Sequence, residues 1–235
     1  MLLEIIIYAG FSGLTVFVGG LLANYFNHHI EESPVKYQIT HTSMSFGAGI
    51  ILSALVFVLI PDGMKELPLI HIIFSFLLGT IIFFFIDKYL SQKGGKVATL
   101  MAMLMDFIPE SIALGAVFAL DPKTALLLAV FIGLQNLPES FNSFRDLVLS
   151  GFSVKKTLVI FFFTSFLGMI GALIGHFFLS DFPQLTAHLM IFSSGGILYL
   201  LFQDIIPESK LNHSYFTSLG ASFGFVLGMI GEKLI

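Results

Sequence analysis

The sequence predicts an all-α integral membrane protein, a bundle of eight transmembrane helices, on the strength of three observations. Apolar residues make up 56% of the chain and charged residues only 11%, against the ~25% charge of an ordinary soluble domain. The apolar residues fall into eight runs with short gaps between them, and those gaps hold most of the charge and several of the prolines. Each run approaches the ~20 residues that a helix needs to cross a ~30 Å hydrocarbon core. The runs are long and continuous rather than alternating ~10-residue segments, which selects helices over a β-barrel.

The first run, Leu2–Phe26, begins MLLEIIIYAG, without a basic leader or a small-residue cleavage site, and reads as a membrane span rather than a cleaved signal peptide. The second, Ile39–Ile60, stops at Pro61-Asp62, and the third is Leu69–Tyr89. The fourth and fifth, Val97–Leu120 and Thr124–Leu149, each carry acids and a proline near their middle. The sixth, Thr157–Leu179, contains no acid, and the seventh, Leu185–Ile206, ends in an Asp-Ile-Ile-Pro-Glu segment. The eighth, Phe216–Ile230, has Gly220, Gly224 and Gly228 on one stripe, as Gly171 and Gly175 are in the sixth. Small residues four apart let helix backbones approach closely in lipid, so these stripes read as packing and also permit a homodimer. No gap is long enough for a soluble domain, so residues 1–235 read as a single transmembrane domain.

Basic residues orient the bundle. The odd-numbered loops and adjoining helix ends hold Lys36, Lys88, Lys93, Lys96, Arg145, Lys155, Lys156 and Lys210, eight against the three of the other side, Lys65, Lys123 and Lys233. The excess marks the cytoplasmic side. The expectation is a multi-pass protein of the plasma (inner) membrane with both termini on the non-cytoplasmic side. A net charge of −4 gives no reason to expect nucleic acid as a partner. The absence of cysteine excludes disulfides and thiolate metal sites.

A charged side chain near the bilayer centre costs ~2.5 kcal/mol or more, so it marks a candidate functional site. The fourth run holds Asp106, Pro109 and Glu110 in MDFIPES; the fifth holds Gln135, Asn136, Pro138 and Glu139 in LQNLPES. Asp106 and Glu110 are four apart, as are Gln135 and Glu139, and residues so spaced share a helix face. Each glutamate follows a proline, which lacks an N–H and frees the carbonyl four residues back, that of Met105 or Leu134. Two such arrays facing one another would gather Asp106, Glu110, Gln135 and Glu139 around one point. Buried carboxylates must share protons, pair with a base or hold a cation. No lysine or arginine lies at that depth in either run, which leaves protons or a metal ion. The matched oxygen arrays favour the metal; the alternative is two kinks whose neutral acids bond within the bundle.

These residues resemble the paired spans of the ZIP (Zrt/Irt-like) divalent metal transporters. That family carries His-Asn-x-Pro-Glu-Gly in its fourth span and His-Glu-x-Pro-Glu or Gln-Asp-x-Pro-Glu in its fifth. The similarity extends to Leu59-Ile60-Pro61-Asp62 at the end of the second run, and to Gly195-Gly196, Tyr199 and Asp204-Ile205-Ile206-Pro207-Glu208 in the seventh. It implies a 3+2+3 arrangement, the first and last three spans forming an inverted repeat around the middle two, with the ion site near the midplane.

Matched position by position, Asp106 stands where the family has histidine, Phe107 where it has asparagine and Ser111 where it has glycine; Asn136 stands where an acid is common. The resemblance implies metal ligands at Asp106, Glu110, Gln135, Glu139 and Asn136. It also implies a path past Gln203 and Asp204, where a His-Glu pair is frequent, with His41 a lesser candidate. With no acid in the sixth span and Phe107 unable to ligate, the family's second metal site is expected to be missing. The long histidine-rich loop after the third span is here a short turn, Ser91–Lys96. His28 and His29 read as a solvated surface pair rather than a weak metal relay; His176, like His41, lines the path or sits at the interface, and His188 lies near the face opposite the first loop.

The implied activity is transport of a divalent cation toward the cytoplasm, the ion being zinc, iron(II) or manganese. It is cargo, with no permanently bound cofactor. An all-oxygen site suits harder ions, whereas histidine suits zinc, although zinc also accepts carboxylates. A proton-coupled carrier and a non-transporting metal sensor are the alternatives. An intramembrane enzyme is disfavoured: the chain has neither His-Glu-x-x-His nor a basic pocket for phosphate at membrane depth.

Overall fold

The computed structural model describes residues 2–31, 33–93, 98–211 and 214–234, and among these there is no strand. Glu32, Lys96, the start of the fourth predicted span at Val97 and most of the turn before it lie outside the described residues. Eight long helices run in order: α1 Leu2–His29, α2 Pro34–Glu66, α3 Leu69–Lys93, α4 Ala98–Phe118, α5 Pro122–Leu149, α6 Val154–Leu179, α7 Pro183–Ser209 and α8 Phe216–Leu234. The first seven are long and apolar enough to cross a membrane. α8 is 19 residues long, rich in glycine and carries Glu232 and Lys233 at its end, which lowers its mean hydropathy.

α2 and α7 outrun the predicted spans because their prolines do not break them. In α2 the α-helix gives way to a π turn over Leu55–Leu59 and resumes at Ile60–Glu66. In α7 the same happens at Leu201–Ile205, followed by Ile206–Ser209. Pro61 and Pro207 come directly after these turns, and the wider π winding absorbs the missing N–H of each. At the other end α2 is extended to Pro34, a residue suited to a first helical position, under a Ser33 side chain that accepts from the Lys36 N–H. α5 begins under an Asp121 cap and ends at Gly151, whose φ of 93° suits glycine. There the Gly151 N–H bonds the Val148 carbonyl and the Phe152 N–H bonds the Leu147 carbonyl, closing the last turn.

The packing has an internal symmetry. α1 lies on α5 and α6, and α6 on α4; α2 lies on α8, and α7 on α3; α4 meets α5, α2 meets α7, α2 meets α5 and α4 meets α7. Exchanging α1 with α6, α2 with α7, α3 with α8 and α4 with α5 maps this set of neighbours onto itself. Consecutive spans run in opposite directions, so the exchanged helices are antiparallel: an inverted 3+2+3 bundle with α4 and α5 at its centre. The two π turns obey the same exchange.

Both glycine stripes are used within the chain. Gly220 and Gly224 face the Thr42 and Phe46 carbonyls of α2, and Gly228 faces Ser53, so a β-carbon at any of the three would collide. Ser45 of α2 also donates to the Thr217 carbonyl of α8. Gly171 and Gly175 pack in the same way on α4. The stripes that would permit a homodimer are therefore already covered. Large apolar side chains face outward instead, most densely on α3, where Leu69, Ile70, Phe74 and Phe85 are all exposed.

Candidate metal-transport site

α4 and α5 lie antiparallel at the centre of the bundle, and each bears its Pro-Glu step inside a continuous α-helix. Small residues on neighbouring helices let the proline-bearing stretch of α5 sit deep. Gly47 of α2 faces Pro138, whose ring would lie 2.5 Å from an added β-carbon, and Gly19 of α1 faces Leu137 and Ser140. Asp106 and Glu110 are 2% and 0% exposed, and Gln135 and Asn136 are fully buried. Asp106, Glu110 and Glu139 lie near enough to feel one another's charge.

The polar partners are few. Gln135 Nε2 donates to Glu110 Oε2 at 2.6 Å, joining α5 to α4. The Phe107 N–H donates to Asp106 Oδ1 at 2.7 Å. Asn136 turns away from this cluster, its Nδ2 donating to the Ser12 carbonyl of α1 at 3.0 Å. Buried acceptors remain without a hydrogen-bond partner: Glu110 Oε1, Gln135 Oε1, Asn136 Oδ1 and both oxygens of Glu139. A buried polar atom left unpaired costs ~1–3 kcal/mol, more if charged. Orphaned acceptors at the middle of two facing helices are groups that a cation or protons would satisfy. Among the described residues, however, no three His, Cys, Asp or Glu side chains converge closely enough to form a ready-made metal cage.

A cavity of ≈ 140 Å³ connects this cluster to one end of the bundle. Met105, Asp106, Pro138 and Glu139 line its inner part; Asp87 and Ser91 of α3, Asn142 of α5, and Asp204 and Glu208 of α7 line the rest. That end is the one carrying the odd-numbered loops. Asn142 Nδ2 donates to Glu208 Oε2 at 3.3 Å. Of the predicted path residues, Asp204 lines the cavity, whereas Gln203 is exposed and outside the lining. His41 is held beside it by Nδ1 on the Glu208 carbonyl, 2.8 Å away. Glu110, Gln135 and Asn136 lie behind the cavity wall and are not part of its lining.

Asp87 and Glu208 line the cavity without having been predicted as site or path residues, and Asp87 is the more hidden of the two. It is only 9% exposed; Tyr199 Oη of α7 donates to its Oδ2 at 2.8 Å, and Ser91 Oγ to its Oδ1 at 3.2 Å. Sitting beside Lys88 near the end of an apolar run, it resembles an ordinary boundary charge. Its one sequence signal is that Tyr199 is itself a polar residue inside an apolar span.

Comparison with known proteins agrees with this architecture. The family described as "ZIP Zinc transporter" matches residues 91–231, more than half of the chain. Zinc transporter GufA of Myxococcus xanthus is 32% identical over 132 residues, covering 55% of this chain and 52% of that protein. Zinc transporter zipt-7.2 of Caenorhabditis elegans is 25% identical over 152 residues, 61% of this chain and 33% of the relative. Zinc transporter ZIP13 of Pongo abelii is 27% identical over 122 residues, 50% and 36% respectively. The chain thus spans from about a third to about half of the length of these relatives. With the family match over most of α4 to α8 and the paired Pro-Glu helices at the bundle's centre, this chain belongs to the ZIP zinc transporter family.

Proposed function

We propose that this chain is a divalent metal transporter that carries a zinc-class ion toward the cytoplasm through a site built on Asp106, Glu110, Gln135 and Glu139. The observation that supports this most strongly is the group of buried acceptor oxygens without partners at the meeting of α4 and α5, at the head of a cavity lined by further carboxylates. A divalent cation offsets several carboxylates at once, where a single proton offsets one. Oxygen ligands also match hard and borderline divalent ions. The relatives' names, all zinc transporters, favour zinc as cargo.

On this reading the odd-loop end is cytoplasmic, by its basic residues, and the cavity is an inward-open exit. The ion leaves the α4/α5 site past Asp106 and Glu139 and descends between Asp87, Asp204 and Glu208. Spaced carboxylates pass a cation without trapping it, since conduction needs several weak sites rather than one strong one. Asn136 is anchored to α1 by its Nδ2 on the Ser12 carbonyl, while its Oδ1 has no hydrogen-bond partner and stays available to the ion.

The test is zinc uptake into proteoliposomes with a fluorescent indicator inside. The unaltered chain takes up zinc, and a Glu110→Gln/Glu139→Gln double variant that elutes and melts as a folded protein does not. Equal uptake by the two proteins would sink the site. Competition by manganese, iron(II) and cadmium ranks the cargo.

A further inference from the structure

At the end of the bundle opposite the cavity mouth, α3 and α7 meet through two imidazoles. His71, in the first turn of α3, places Nδ1 3.3 Å from Nε2 of His188 in α7. The rings are tilted by 37° with centroids 5.3 Å apart, so they meet by their nitrogens rather than by their faces. The remaining nitrogen of His188, Nδ1, is 2.7 Å from Oγ of Ser75, a residue 5% exposed one turn along α3. His71 itself is exposed.

We infer that His71 and His188 form a second divalent-cation site, of zinc-class chemistry, that clamps α3 to α7 at the even-loop end. Three features of the geometry carry this. The separation of the facing nitrogens is that of two ligands on one tetrahedral ion: with each nitrogen roughly 2.0–2.1 Å from zinc, they stand about 3.3 Å apart. The hydroxyl on the far side of His188 is the kind of outer partner that fixes the ring and tautomer of a ligating histidine. With Ser75 Oγ accepting from Nδ1–H, His188 Nε2 presents a lone pair to the gap. With His71 as its Nε2–H tautomer the two facing nitrogens both present lone pairs, and an ion bridges them in place of the proton of a direct contact. Finally, exposed His71 opens the remaining coordination positions to water, so an ion can arrive from solution. Two imidazole nitrogens prefer zinc, cobalt, nickel and copper over magnesium or calcium.

This site is separate from α4 and α5. His188 and Asp204 are sixteen residues apart on α7, as are His71 and Asp87 on α3, or about 24 Å at 1.5 Å per residue. The α3/α7 pair is therefore bridged at both ends, by imidazoles at one and by Tyr199 on Asp87 at the other. An ion held by the imidazoles would tighten a helix pair that reaches down to the exit cavity.

Cobalt(II), whose visible absorption reports tetrahedral coordination, is the probe. It is titrated into the full chain carrying Glu110→Gln and Glu139→Gln, so that ions at the α4/α5 site do not contribute and loss of uptake has no bearing on the result. The expected result is one saturable cobalt per chain, displaced by zinc. His71→Ala and His188→Ala should each weaken it at least tenfold, and Ser75→Ala about tenfold. Zinc should also raise the melting temperature of the double-glutamine chain and leave that of its His71→Ala derivative unmoved. If His188→Ala fails to fold, His71→Ala decides, since that side chain is exposed. The inference is overturned if the histidine variants bind cobalt as the parent does, or if the parent shows no saturable binding.

Discussion

The α3/α7 pair and the α4/α5 pair both hold carboxylates in contact with the cavity, and they treat them in opposite ways. Along α3 and α7 the backbones touch. Gly79 lies against the Phe192 carbonyl, Gly195 against that of Phe76 and Gly196 against the Phe83 ring. Thr80 Oγ1 donates across the seam to the Gly195 carbonyl at 3.1 Å. Of the carboxylates on these two helices, Asp87 at the seam has both oxygens bonded. Between α4 and α5 a side-chain bond runs from Gln135 to Glu110, while Glu139 has neither oxygen bonded. One seam spends its polar groups on holding itself together; the other leaves them available. If that difference is the difference between scaffold and binding site, stability and uptake should respond in opposite directions to substitutions in the two pairs.

Glu139→Gln should have the largest effect. Removing an unbonded buried carboxylate should lower zinc uptake at least a hundredfold, about 2.7 kcal/mol at equal ion concentration. The same change relieves the burial of a charge, so the melting temperature of the purified protein should hold or rise. A variant that loses uptake only because it melts earlier would remove the contrast between the pairs.

Gly195→Val is the reverse experiment. Its side chain would be driven into the Phe76 backbone and Thr80, and overpacking of this kind costs about 2 kcal/mol. The expected result is a lower melting temperature, with uptake per folded molecule far closer to the unaltered chain than that of Glu139→Gln. Uptake abolished in well-folded Gly195→Val protein would mean that the close backbone packing of α3 on α7, and not only the carboxylates at its cavity end, is needed for the ion's passage.

What the sequence made legible and what it hid follow the same division. The spans were readable because burial in lipid demands long apolar runs, and the acids of α4 and α5 because charge inside such a run has no other excuse. The Pro-Glu pairing survived translation into structure, since Pro109 and Pro138 lie inside helices without ending them. Asp87 and Tyr199 were hidden because their bond joins residues 112 apart in sequence and each alone is unremarkable at a span's end. His71 and His188 were hidden for the same reason. Asn136, a ligand by the family resemblance, has its Nδ2 on the Ser12 carbonyl of α1 and its Oδ1 without a partner; adjacent residues on a helix diverge by about 100°, so the bond to α1 left no trace in the sequence. The π turns of α2 and α7 left only their prolines as a trace, and a proline at the end of an apolar run is more simply read as a stop.

Tyr199→Phe sharpens the comparison at single-atom scale. It deletes the hydroxyl that donates to Asp87 while keeping the ring, which meets Phe84 edge-on at 6.0 Å. Losing a hydrogen bond to a charged group costs about 1.5 kcal/mol, so the protein should melt earlier. Asp87, left with Ser91 alone, becomes freer to meet a passing ion. Uptake should then change in its concentration dependence more than in its maximal rate. A variant identical to the unaltered chain in both stability and uptake would show that this bond neither holds the seam together nor restrains Asp87.

The smallest effect tests whether the α4/α5 pair is weakly held only at its centre. α5 begins at Asp121, whose carboxylate accepts from the Lys123 and Thr124 N–H groups at 3.0 and 3.2 Å, and from the Thr124 hydroxyl at 2.7 Å. The hydroxyl bond, chiefly, holds its pKa below the usual carboxylate value of 3.8. For a group depressed in this way, the stabilisation is present at pH values above its unfolded pKa and is lost as pH falls through the folded one. Asp121→Ala should therefore cost about 1 kcal/mol at neutral pH, the usual worth of a helix cap. The gap from the unaltered chain should close as the pH is lowered below about 4, near the unfolded carboxylate pKa. Uptake at neutral pH should be nearly unchanged, because the cap secures the end of α5 remote from the cavity. A large loss of uptake with so small a loss of stability would instead place the fixed end of α5 within the moving parts. The contrast would then be between the two ends of one helix as much as between two helix pairs.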